Sequence, residues 1–241
     1  SMEIQSNLDA DIIMAFDECT SPLSDYGYTK TAMIRTHRWA EQSLKYHNKD
    51  QAIYGIVQGG YFNDLRDEST QFINSLPFDG IAVGGSLGKT KADMHEILEW
   101  VIPQLDGRPR HLLGIGEVDD IFECVARGID TFDCVGPTRI ARRANLYVLP
   151  ASGGNGKNKF RINIAAAKYA ADPGPVDANC RCFVCENYSR AYLRHLYEAR
   201  ELAYFRLATI HNLWFILRLM EKIRESIKNG NFAELKKEWL G

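Results

Sequence analysis

Residues 52–60 read AIYGIVQGG: a run of apolar residues on consecutive positions, stopped by a glutamine and two glycines. A strand apolar on both faces is buried on both faces, the condition of a parallel sheet covered by helices. The same texture recurs in DIIMAFDE (11–18), GIAVGG (80–85), HLLGIGE (111–117) and TFDCVG (131–136). Between these runs, residues 31–46, 65–75, 91–101 and 119–127 carry helical spacing. Strand and helix in alternation predict an α/β fold with a parallel sheet, either a β/α barrel or a doubly wound sheet. Periodicity does not choose between them.

Each run ends on polar residues or glycine: Asp17 and Glu18, Gln58, Gly84 and Gly85, Glu117, Asp133. Both parallel architectures build their sites at the carboxyl edge of the strands. Alone, Asp17 or Asp133 reads as a helix cap or a turn residue. Together with Gln58 and the Gly84-Gly85 backbone they form a donor and acceptor set suited to the edge of a purine-like base. An aspartate free of that duty is a candidate nucleophile. Downstream, PTRIARRANLY (137–147) puts Arg139, Arg142 and Arg143 together, followed by Lys157, Lys159 and Arg161. The cluster reads as a phosphate-backbone contact or as a solvated face.

The 241 residues suffice for one sizeable α/β domain with at most a small appendage. No apolar run approaches the roughly 20 residues that cross a bilayer, which argues against membrane insertion. Nothing at the start reads as a secretory signal, so a cytoplasmic address is expected. A net charge of −2 argues against nonspecific coating of nucleic acid, leaving only a local RNA patch.

Beyond Pro150 the texture changes. ASGGNGKNK (151–159) reads as a flexible loop and DPGPVDANC (172–180) as a stiff approach to a cysteine trio. Residues 1–150 are therefore read as a partial barrel with the base-binding and nucleophile residues, and residues 151–241 as a metal-binding subdomain with C-terminal helices. Cys180, Cys182 and Cys185 supply three thiolates in one turn of chain, and tetrahedral zinc needs a fourth ligand. His195 and His211 are both available. An unbroken helix from Cys185 would carry His211 about 39 Å away at 1.5 Å per residue. A His211 ligand therefore demands a break, expected near residues 198–201. His195 is closer in sequence but sits in an early helical turn. Merely reduced thiols are the bland reading, and a redox centre is disfavoured because the trio is not at a βαβ turn.

DIIMAFDEC, GIVQGG, FDGIAVGG, HLLGIG, GIDTFDCVGPTR and CRCFVC with a downstream histidine occur in order. Together they resemble the tRNA-guanine transglycosylase, or queuine tRNA-ribosyltransferase, family along essentially the whole chain. The resemblance implies a partial (β/α)8 TIM barrel, strands four to eight, with a C-terminal zinc-binding subdomain. It implies exchange of the wobble guanine of tRNA for a 7-deazaguanine base, in queuosine modification. By the same resemblance Asp133 is the nucleophile of a covalent aspartyl–RNA intermediate, and Asp17, Gln58, Gly84 and Gly85 bind the base. Arg139, Arg142 and Arg143 contact RNA, and Cys180, Cys182, Cys185 and His211 hold one structural zinc. The expected partners are tRNA, queuine or a related base, and a second copy in a homodimer.

The chain also departs from the family. It lacks the motif DSGGFQ with its general acid/base aspartate, so residues 1–241 are expected to be a fragment or to be completed by a second polypeptide. On its own, the chain is expected to lack normal turnover. Lys89 in GGSLGKT (84–90) stands near the family's glutamate, and like-charge repulsion should favour queuine over a base with a cationic aminomethyl arm. Arg143 and Ala144 replace the family's Asn-Gly. The competing expectations are a noncatalytic tRNA-binding partner subunit and a zinc-stapled nucleoside hydrolase.

Overall fold

The computed structural model describes residues 1–48 and 50–241. The chain divides into two compact units, residues 1–115 with 120–133, and residues 116–119 with 134–241.

The first unit alternates helix and strand: α1 (Met2–Asn7), β1 (Ile12–Met14), α2 (Tyr26–Tyr46), β2 (Ala52–Val57), α3 (Asn63–Ser75), β3 (Gly80–Val83), α4 (Lys91–Val101), β4 (Arg110–Leu112), α5 (Val118–Ala126) and β5 (Thr131–Phe132). All strands pair in parallel, in the order β1-β2-β3-β4-β5. That order settles the choice periodicity left open. A doubly wound sheet reverses its strand order at a switch point, whereas a barrel adds each strand beside its predecessor. The sheet is five strands of a β/α barrel.

Its core forms where the uninterrupted apolar runs predict it. Ile53, Val57, Ile81, Val83 and Leu112 are buried against Met94, Ile97, Leu98 and Val101 of α4. Helix α4 begins with a reciprocal capping box between Thr90 and Asp93. Helix α2 starts at Tyr26, five residues before its helical spacing suggests, because Asp25 caps it by accepting from the Tyr28 N–H at 2.8 Å. The sheet packs too tightly for side chains at some positions. A Cβ at Gly55 would lie 2.6 Å from Phe78 Cε2 and 2.8 Å from Ile73 Cγ2. Gly55→Ala is therefore expected to cost about 1–3 kcal/mol, the usual penalty of overpacking. Urea denaturation checks this, and an unchanged midpoint would contradict the packing.

The second unit holds α6 (Gly136–Ala141), β6 (Asn145–Tyr147), β7 (Arg161–Asn163), α7 (Phe183–Asn187), α8 (Arg190–Glu198), α9 (Leu202–Lys228) and α10 (Phe232–Leu240). Strands β6 and β7 pair antiparallel. Between them, residues 151–159 are folded upon themselves rather than loose. The Asn155 carboxamide accepts from the Lys157 N–H at 3.0 Å, and that of Asn158 from the N–H groups of Asn155 and Phe160 at 2.9 and 3.0 Å. Short amide side chains stand in for backbone partners here. Ala144 has φ of 59° in the turn after α6. Its methyl group is buried in the unit's core, which offsets part of the cost of the left-handed conformation. The helix break expected near residues 198–201 is present, with Arg200 at φ 58° between α8 and α9.

Candidate functional site

Strand register lines up the chemistry at one edge. Val57, Val83, Leu112 and Phe132 form the last paired row across β2 to β5. The residues that immediately follow are Gln58, Gly84, Leu113 and Asp133, and Asp17 lies three residues beyond β1.

At β1 and β2, Gln58 Nε2 donates to Asp17 Oδ2 at 2.6 Å. Gln58 is 2% exposed, and its backbone N–H donates to Ser69 Oγ at 3.0 Å. Ser69 Oγ in turn meets His37 Nε2 at 3.0 Å, and His37 stacks on Phe72. Burial lowers the His37 pKa to about 4, so the imidazole is neutral at physiological pH and the relay carries no charge. Gln58 Oε1 is buried without a hydrogen-bond partner, an acceptor awaiting a donor. Both glycines are needed beside it. A Cβ at Gly84 would lie 2.6 Å from Ile56 Cγ2, and one at Gly85, where φ is 73°, would run into Gln58 Oε1. Burial raises the Asp17 pKa, with the Gln58 donation opposing the shift.

At β4 and β5, Asp133 Oδ1 accepts from the Gly114 N–H at 2.9 Å and meets His111 Nε2 at 3.2 Å. His111 Nδ1 lies 2.9 Å from Thr131 Oγ1. The His111 side chain is 10% exposed and that of Asp133 is 60% exposed. One carboxylate oxygen is thus fixed by the sheet edge while the group as a whole faces solvent. Asp17 and Gln58 are joined directly. Asp133 shares their edge without touching them.

Behind the edge lies Arg66 of α3, 0% exposed. Its guanidinium donates to the carbonyls of Gly60, Val57, Gly84 and Ser86 at 2.8, 3.1, 3.0 and 2.9 Å. Neither His111 nor Arg66 stands out by residue type. The signal for Arg66 is positional: it occupies the buried stripe of α3 with Ser69, Thr70 and Ile73, where a cation needs a reason. His111 carries no comparable signal, because its partner is 22 residues away.

In the second unit, Arg139 stands exposed on α6, and Arg142 and Arg143 stand exposed in the turn that follows it. Two of the three basic residues grouped with them by sequence are already engaged. Arg161 and Lys159 both pair with Glu117, at 2.6 and 3.5 Å.

The same unit closes a four-ligand cluster. His211 Nδ1 lies 4.0, 3.4 and 3.4 Å from the sulfurs of Cys180, Cys182 and Cys185. All four ligand atoms fall within 4.8 Å of one another. A tetrahedral ion with bonds of about 2.1–2.3 Å sets its ligands about 3.5–3.8 Å apart, so the cluster fits one with little adjustment. His211 Nε2 faces the Tyr147 carbonyl at 2.8 Å, which fixes the tautomer that leaves Nδ1 free to ligate. Hydrogen bonds from Cys180 and Cys185 pull the Cys182 pKa down while Cys180 and Cys182 push that of Cys185 up, so the thiols resist ionising together without a cation. His195 is exposed and outside the cluster. The choice between the histidines is made by the break at Arg200, which lets α9 turn His211 back onto the thiols. Its neighbour Asn212 accepts from the Tyr147 N–H and donates to the carbonyls of Pro137 and Asn145, tying α6 and β6 to the same helix.

A parallel β/α-barrel sheet with carboxylates on its carboxyl edge and, in the same chain, a three-cysteine, one-histidine cluster that could hold a metal ion define the class of protein. The family model described as queuine tRNA-ribosyltransferase matches residues 1–241, and the chain belongs to that family. A protein of Archaeoglobus fulgidus is 61% identical over 242 residues, covering 100% of this chain and 60% of its own length. Proteins of Roseiflexus sp. and Staphylococcus haemolyticus, both named queuine tRNA-ribosyltransferase, are 46% and 47% identical, each covering 100% of this chain and 62% of their own length. The chain thus spans about 60% of the length of these relatives.

Proposed function

We propose that this chain carries the base-binding and nucleophilic groups of a tRNA-guanine transglycosylase that exchanges the wobble guanine of tRNA for a 7-deazaguanine base. The observation that carries the reading is the strand-edge row: an exposed Asp133 at one end and, at the other, the half-buried Asp17 paired with buried Gln58 beside Gly84 and Gly85. In an eight-stranded barrel, strands four places apart are diametrically opposed, so β1 and β5 aim these carboxylates across the barrel mouth at a common axis. A planar base bound there donates its N–H groups to the Asp17 carboxylate, while Gln58 and the Gly85 backbone read its carbonyl. Asp133 then attacks the anomeric carbon, the bond to the base breaks with its electron pair leaving on the base, and the incoming base displaces Asp133 in turn. Two inversions retain the sugar configuration, as in retaining glycosidases.

Arg139, Arg142 and Arg143 are assigned to the tRNA backbone. The metal is zinc, held by Cys180, Cys182, Cys185 and His211 in a closed structural site. We assign the protein to the cytoplasm as a homodimer. Queuine is the preferred incoming base, because Lys89 repels a cationic aminomethyl arm.

Incorporation of labelled guanine and of queuine into tRNA by the natural-length protein tests the assignment. Release of ribose from free nucleosides without a need for tRNA would point instead to a hydrolase. A strong preference for the aminomethyl base would overturn the queuine assignment. The reaction should also lose base affinity in acid. Asp17 accepts the base's protons only when ionised, and burial raises its pKa above the ordinary value of 3.8. The kcat/KM for the base should therefore fall as pH drops, with a midpoint above 3.8, and Asp17→Asn should remove that limb of the profile. A profile flat down to pH values below the ordinary carboxylate range would exclude this role.

A further inference from the structure

We infer that Arg66 is the positioning residue of the base site, acting through the two loops that carry Gln58 and Gly85; this rests on the function proposed above. Its four acceptors come in two pairs. Val57 and Gly60 bracket Gln58, and Gly84 and Ser86 bracket Gly85. One rigid guanidinium therefore sets the distance between the Gln58 amide and the Gly85 peptide.

These loops need such a clamp. Gly59, Gly60, Gly85 and Gly88 have φ of 131, 59, 73 and 82°, and glycines in these conformations bring backbone freedom that the strands alone do not restrain. The clamp is also costly. A fully buried cation whose hydrogen bonds all go to carbonyls rather than to a carboxylate is expensive, and an apolar side chain of similar volume would fill the space more cheaply. Burial lowers the Arg66 pKa to about 9, which still leaves it charged at neutral pH. Arginine suits the task because its planar fork offers five N–H donors at set angles; a lysine ammonium is a point charge that cannot span both loops.

The test is steady-state base exchange by the natural-length protein carrying Arg66→Lys or Arg66→Met, with melting temperature measured alongside. The expected result for Arg66→Lys is a KM for guanine raised about ten- to a hundredfold, the scale of a misplaced contact, with the KM for tRNA nearly unchanged. Arg66→Met should be at least as impaired, so that charge without the fork gives no rescue. A guanine KM close to wild type, with only the melting temperature lowered, would reduce Arg66 to a structural part. Should neither variant fold, the Nε–H resonance of Arg66 in the wild type decides: it is expected to shift when guanine is titrated, and a fixed resonance overturns the inference. A wild type that neither binds nor exchanges guanine sinks the functional reading and this inference together. A wild type that exchanges guanine beside an Arg66→Lys variant of unchanged KM sinks the inference alone.

Discussion

Asp133→Asn is expected to abolish the covalent protein–RNA adduct and to lower base exchange by at least about a thousandfold, the scale on which removing a nucleophile disables two-step transfer. The substitution is nearly isosteric. The carboxamide oxygen still accepts from the Gly114 N–H and still meets His111, the two contacts that hold Asp133 Oδ1. Fold, metal content and tRNA binding should therefore survive, and only the attacking oxygen is lost. A denaturing gel of protein incubated with tRNA and a slowly turned-over base analogue reads the adduct directly. An adduct that persists in the variant would move the nucleophile elsewhere and leave Asp133 as an electrostatic support.

Stripping the metal, or replacing His211 with alanine, is expected to unfold the second unit rather than to perturb it. Binding of a structural zinc is worth about 10–16 kcal/mol in small zinc domains, comparable with the whole stability of a domain at about 5–15 kcal/mol. The cluster's thiols and His211 sit among the core residues Val176, Val184, Leu193, Leu207 and Ala208, so loss of the ion leaves buried polar groups inside that core. Because Asn212 follows His211 and holds α6 and β6, the arginine-bearing helix should lose its support in the same event. Circular dichroism during chelation should show cooperative loss of helix, with tRNA affinity falling in parallel. Retention of both after complete metal removal would show that the cluster is dispensable for the fold.

Much of the architecture was legible because the signals are local. Continuous apolar runs mark strands buried on both faces, glycine or a polar residue marks each carboxyl end, and helical spacing fills the intervals. Residue type and spacing likewise marked the metal site, since three thiols in six positions have few other uses. The capped start of α2 was missed because Asp25 precedes its periodic stretch. The loose loop expected at 151–159 proved to be a turn closed by two asparagine side chains, a detail that composition hides.

By itself, then, the sequence determined the alternation of strand and helix, the row of Asp17, Gln58, Gly84, Gly85 and Asp133 at strand ends, and the cysteine trio. Barrel order of the strands and closure of the cluster by His211, which periodicity and spacing left open and only the family resemblance implied, are visible in the tertiary structure, and it alone decided that Glu117 already holds Arg161 and that Arg66 and His111 stand behind the site. The division has a physical cause. Backbone periodicity and strand ends are set by neighbours a few residues apart, whereas hydrogen bonds such as His111 to Asp133 or His211 to Tyr147 join residues 22 and 64 positions apart. Such pairings exist only once packing has chosen one arrangement of the elements.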